Sequence, residues 1–100
     1  MTTQHLLEQK TVIVTGGATG IGQAFAMGCA AQGANIVVAD MNSSEETVEG
    51  IKKLGGRAIG IQVDVSNQES LTAMADASLK AYGRIDGLIN NAAYFREVKL

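Results

Sequence analysis

Glycines at positions 16, 17, 20 and 22 crowd into the run Thr15-Gly16-Gly17-Ala18-Thr19-Gly20-Ile21-Gly22, directly after an apolar β-branched stretch. A turn of this kind between a strand and a helix can bring backbone atoms close to a dinucleotide pyrophosphate. The helix that follows then presents unpaired N–H groups and the positive end of its dipole. Gly16 and Gly20 are expected to serve the turn and the approach, and Gly22 and Gly28 to lie on the inward face of the helix. Asp40 follows Gly22 by 18 residues, at the end of the next apolar run, where a carboxylate accepts hydrogen bonds from a ribose. Asp64 ends a third such run and is placed to meet an adenine amino group. Each feature has a plainer alternative. The glycines could form an ordinary strand-to-helix connection, Asp40 could cap a helix beside Asn42 and Ser43, and Ser66 is a rival cap near Asp64. Cys29 sits in an apolar helical stretch and reads as a small buried hydrophobe. His5 lies in a polar tail. Neither is assigned chemistry, and no metal-ligating set is found.

The elements that must position these residues follow from hydrophobic pattern and end signals. Thr11 to Thr15 reads as a central strand, and Ile21, Ala24, Phe25 and Gly28 recur at helical spacing up to a stop at Gly33. Ile36 to Ala39 is the second strand. Ser43 with Glu46 reads as a capping box opening a second helix, which carries Val48, Ile51 and Leu54 inward and ends near Gly55-Gly56. A third strand from Ala58 to Val63 precedes a second capping box, Ser66 with Glu69. The helix behind it carries Leu71, Met74, Ala75, Ser78, Leu79 and Tyr82 to a stop at Gly83. The last strand lies near Gly87 to Asn90. The order βαβαβαβ calls for a parallel sheet with right-handed crossovers, half of a doubly wound, Rossmann-like α/β domain of three layers. With the strands in the order 3-2-1-4, the winding reverses between the first and the fourth, and a ligand crevice opens there.

Composition excludes other classes of function. Hydrophobic residues at 46% against 18% charged supply a globular core. A net charge of -2 with scattered Lys and Arg provides neither a basic stripe for nucleic acid nor an anchor for a membrane surface. Met1 to Lys10 lacks the pattern of a signal peptide, so a cytoplasmic location is expected. Residues 1–100 read as one dinucleotide-binding domain.

With these residues in place a family comes into view. Thr15 to Gly22 resembles the TGxxxGxG turn of the short-chain dehydrogenases/reductases, which differs from the GxGxxG of other dinucleotide folds. Asp64-Val65 resembles the family's adenine-binding Asp-Val pair, and Gly83 to Ala92 is similar to its fourth strand and NNAG motif. The resemblance implies that Gly16, Gly17, Ala18, Thr19, Gly20 and Ile21 line the pyrophosphate, that Asp40 holds the ribose, that Asp64 and Val65 meet the adenine, and that Asn90 stands at the cofactor edge of the fourth strand. Ala93 departs from the family's usual glycine. The implied activity is hydride transfer between nicotinamide and an alcohol or carbonyl substrate in a full-length parent, and the family is usually homo-oligomeric.

The family's Tyr-x-x-x-Lys pair, its catalytic serine and its later asparagine have no counterpart here. Four residues after Tyr82 comes Asp86, and four after Tyr94 comes Val98, so neither tyrosine has the lysine that would lower its pKa. No catalytic residue is assigned, and the domain is expected to be C-terminally incomplete. Two other functions compete with an oxidoreductase: a nucleotide-binding module without chemistry of its own, and an inactive truncated product. The expected cofactor is NAD rather than NADP. Asp40 would face a 2′-phosphate with like charge, and neither Thr19, before Gly20, nor Met41 supplies a compensating cation.

Overall fold

The β-branched run Val12-Ile13-Val14 packs well on both faces of a pleated sheet, and it forms the middle of the fold. In the computed structural model, which describes residues 6–91, seven elements follow in the expected order. They are β1 (Thr11–Thr15), α1 (Gly20–Ala31), β2 (Asn35–Asp40), α2 (Glu45–Lys53), β3 (Arg57–Gln62), α3 (Gln68–Tyr82) and β4 (Gly87–Asn90). All strand pairs are parallel and the sheet order is β3-β2-β1-β4. Thr15 stands level with Ala39 on one side and Asn90 on the other, so the glycine turn, Asp40 and Asn90 share the C-terminal edge of the sheet.

Period-two alternation divides the strands between two cores. Val12, Val14, Ile36, Val38 and Ala58 face α1 and α2, where Ala26, Val48 and Ile51 meet them. Ile13, Val37 and Ala39 face α3 together with Val63 and Met74. This two-plus-one arrangement of helices is the one the reversal of winding requires.

Several local expectations are corrected. α1 buries Gly22 and Ala26, whereas Ile21 and Phe25 are 69% and 47% exposed and Gly28 has no neighbour where a Cβ would stand. The helix GIGQAFAMGCAA is apolar on nearly every side, so spacing alone does not choose its inward face. The residue before α2 is Ser44, not Ser43, and no side chain caps that helix. The Ser44 hydroxyl instead donates to the Val38 carbonyl oxygen, and the Ser43 hydroxyl oxygen accepts only from the Glu45 N–H, at 3.3 Å. Leu54 lies just beyond the helix and is exposed, as is Leu79 on α3. Asn67, not Ser66, caps α3: its Oδ1 accepts from the Ser70 N–H at 3.0 Å. The Ser66 hydroxyl is taken up by the Asp64 carboxylate, which leaves the cap to the next residue.

Candidate functional site

The glycine turn is fitted closely onto the end of the sheet. A Cβ on Gly17 would lie 2.9 Å from Val38 Cγ1 and 3.1 Å from the Val14 carbonyl oxygen, so the turn rests directly on β1 and β2. A Cβ on Gly22 would lie 2.0 Å from the Gly16 carbonyl oxygen and 2.6 Å from Asn91 Nδ2. The first turn of α1 therefore closes against the start of the glycine run. Gly16 and Gly20 hold left-handed backbone at φ 67° and 58°, which glycine adopts without steric cost. Beyond Gly20 the space is open: a Cβ there would meet nothing within 4 Å. Thr19, Gly20 and Ile21 are exposed, and the Thr19 side chain caps nothing.

The first N–H groups of α1 thus face an accessible edge of the sheet without intrahelical acceptors. No acidic side chain occupies that first turn, in contrast to Glu45 and Glu46 on α2 and Glu69 on α3. Of the three helices, α1 is the one whose N-terminus suits an anion.

Asp40 reaches back to this turn. One carboxylate oxygen accepts from the Ala18 N–H at 3.0 Å and the other from the Asn42 N–H at 2.9 Å. It does not cap α2, which resolves the alternative of a helix-capping aspartate. Asp64 ends its segment at the same edge. Its Oδ1 accepts from the Ser66 hydroxyl at 2.6 Å and the Ser66 N–H at 3.0 Å, and these two bonds hold its carboxyl below the usual carboxylate range. The neighbouring Val65 is half-buried against the α3-side core. Asn90 Oδ1 accepts from the Thr15 hydroxyl at 2.9 Å, tying β4 to the start of the turn. Gly16 to Ile21, Asp40 and Asn90 are therefore gathered around the end of β1, with Asp64 and Val65 following β3.

Two polar contributors, Thr47 and Gln23, escaped the sequence reading, and Asn91, part of the run similar to the NNAG motif, was given no role there. Thr47 on α2 donates its hydroxyl to the carbonyl oxygens of Gly17 and Ala18, at 2.9 and 3.2 Å. Gln23 on α1 donates to Thr47 Oγ1 at 3.0 Å, and Asn91 donates to the Gly16 carbonyl oxygen at 3.3 Å. The signal for Thr47 was available: it stands four residues before Ile51, on the same apolar stripe, and a hydroxyl there needs a partner. Tyr82 is half-buried at the end of α3, and burial pushes its phenol up, away from use as a base at neutral pH. Tyr94, Val98, Ala92, Ala93 and His5 lie outside the described residues. A second groove, of about 400 Å³, opens at the opposite edge of the sheet between Met27, Ala30, Ile51 and Arg57, and it shares no residue with the turn. Among the described residues no cluster of His, Cys, Asp and Glu suits a metal, and no helix is long and apolar enough to cross a membrane.

The family model for short chain dehydrogenases matches residues 10–100. The chain is 47% identical over 93 residues to the uncharacterized oxidoreductase YxbG of Bacillus subtilis, covering 91% of this chain and 34% of that protein. It is 42% identical over 94 residues to the short-chain dehydrogenase/reductase homolog YusS of the same organism, covering 91% of this chain and 86% of YusS. Among solved structures, a hydroxysteroid dehydrogenase from Escherichia coli superposes with a TM-score of 0.87 at 36% identity, over 90% of this chain and 39% of that one. The chain belongs to the short-chain dehydrogenases/reductases. It spans about a third of YxbG, but most of YusS.

Proposed function

We propose that this chain holds the NAD of an oxidoreductase that acts on an alcohol or carbonyl compound. When bound, the nicotinamide supplies the hydride acceptor or donor. The observation that carries this reading is the contact between Asp40 and the glycine turn: two sequence motifs separated by a whole helix meet at one edge of the sheet. In it, Gly16, Gly17, Ala18, Thr19, Gly20 and Ile21 lie along the pyrophosphate and Asp40 receives the ribose hydroxyls. Asp64 and Val65 border the adenine, and Asn90 borders the cofactor on the β4 side. The open space beyond Gly20 supports the fit, because a phosphate can reach the backbone there. The neighbour named as a hydroxysteroid dehydrogenase supports the substrate class. A cytoplasmic location completes the reading.

Preference for NAD follows from charge. A 2′-phosphate placed near the Asp40 carboxylate meets repulsion of about 1 kcal/mol at the dielectric of bulk water and about 4 kcal/mol at that of a protein surface, and Thr19 and Met41 offset none of it. Calorimetric titration should give tighter binding of NAD than of NADP, by at least about fivefold. Asp40→Ala should shift the ratio toward NADP. Equal or tighter binding of NADP by the parent sinks the reading. A second reading is a nucleotide-binding module without chemistry of its own. An assay of alcohol oxidation by a protein that carries this segment at the length of YxbG separates the two.

A further inference from the structure

We propose that Thr47 is a positioning residue for the glycine turn, fixing the Gly17–Ala18 peptide plane in the orientation that a bound pyrophosphate requires. The proposal rests on the reading of the turn as a pyrophosphate site and adds to it a residue on α2, which belongs to none of the motifs.

A single peptide unit lies at the centre of these contacts. Its carbonyl belongs to Gly17 and its N–H to Ala18, and the two are locked in one plane by amide resonance. The Gly17 oxygen accepts from Thr47 Oγ1 at 2.9 Å, and the Ala18 N–H donates to Asp40 Oδ2 at 3.0 Å. The plane is thus held at both ends, by α2 on one side and the end of β2 on the other. It cannot rotate without breaking one of the two bonds. The next carbonyl, that of Ala18, shares the same hydroxyl proton at 3.2 Å. A hydroxyl has one proton to give and two lone pairs, and Gln23 Nε2 fills a lone pair at 3.0 Å. Thr47, Gln23, Asp40 and the Gly17 and Ala18 backbone therefore belong to one network joining α1, α2, β2 and the turn.

Packing by itself does not call for this hydroxyl. Thr47 is 1% exposed, on the stripe that carries Val48 and Ile51. A valine of the same shape would fill that space without the desolvation cost of a polar group or the need to find it partners. The hydroxyl is accounted for by where it points. Two carbonyls are drawn down toward α2, and Thr19, Gly20 and Ile21 are left as the exposed part of the turn.

Thr47→Val removes the hydroxyl and keeps the shape, Thr47→Ser keeps the hydroxyl, and Thr47→Ala repeats the removal without a branch should valine not fold. In the unliganded chain, amide exchange at Ala18 should accelerate about tenfold in the valine variant and return close to the parent rate in the serine variant. The amides of Ile36, Val37 and Val38 should keep their protection, which a general loss of stability would not allow. In titrations followed by amide chemical shifts, NAD should bind about tenfold more weakly to Thr47→Val and recover in Thr47→Ser. Adenosine, which has the ribose but no pyrophosphate, should bind both variants as it binds the parent. Unchanged exchange at Ala18, exchange that rises equally in β2, or an equal loss of adenosine and NAD affinity overturns the positioning role. A parent chain that binds no NAD overturns the nucleotide reading and the positioning role with it, whereas an unresponsive Ala18 overturns the positioning role alone.

Discussion

Gly22→Ala tests how the first turn of α1 closes on the glycine run. The added Cβ would stand 2.0 Å from the Gly16 carbonyl oxygen and 2.7 Å from its carbon, both backbone atoms. An ordinary carbon–oxygen contact begins near about 3.3 Å, so helix and turn must separate by more than about 1 Å. Overpacking of a tight site costs about 1–3 kcal/mol, and the upper end applies where backbone rather than a flexible side chain must move. Against a total of about 5–15 kcal/mol for a domain of this size, the loss is a large fraction of the stability. In urea it should lower the unfolding midpoint by about 1–3 M at a typical slope. Gly28→Ala is the control within the same helix. A Cβ there meets nothing within 4 Å, and alanine should raise stability by about 0.5–1 kcal/mol through helix propensity. Urea unfolding followed by circular dichroism, with NAD titration of each variant, reads both effects. The reasoning is refuted if Gly22→Ala stays within about 0.5 kcal/mol of the parent, or if Gly28→Ala proves the more damaging of the two.

Asp86 lies at the surface, where the forked Arg84 hydrogen bond and the Thr11 N–H hold its carboxyl down to about 2 from 3.8. A depressed folded-state pKa means stability that is fully present above the unfolded value and is lost as pH falls through the folded one. The stability difference between parent and Asp86→Asn should therefore be constant above about pH 4 and shrink between pH 4 and 2; a difference independent of pH would contradict it. Ile21, Phe25 and Leu88 are 69%, 47% and 58% exposed, so residues 1–100 alone should self-associate in sedimentation experiments, and Phe25→Glu with Leu88→Lys should reduce the effect. Those same residues should not oxidise alcohols with NAD, because no tyrosine among them has a lysine four positions on to assist proton transfer. A monomer with steady turnover would refute both expectations.

The order of elements was legible because each strand is a short β-branched or apolar run and each helix is bounded by strong signals: the turn before α1, and Gly33, Gly55 and Gly83 after the three helices. The parallel sheet follows from connections too long for hairpins, whereas its order is one of several that right-handed crossovers allow and is settled by the pairing of β1 with both β2 and β4. The glycine turn, Asp40 and Asp64 were legible as residue types at fixed distances from strand ends. The inward face of α1 was not, since a helix with one polar residue among apolar neighbours has no periodicity to read, and only the packing of Gly22 and Ala26 against the turn and sheet decides it. Nor was the choice of cap: Ser43, Ser44, Ser66 and Asn67 all have capping side chains, and the Val38 carbonyl and the Asp64 carboxylate decide which remain for a helix. Thr47 and Gln23 came to the turn for the same reason. Sequence pattern records which face an element buries, whereas a hydrogen bond between residues 24 or 30 positions apart exists only once the fold has brought them together.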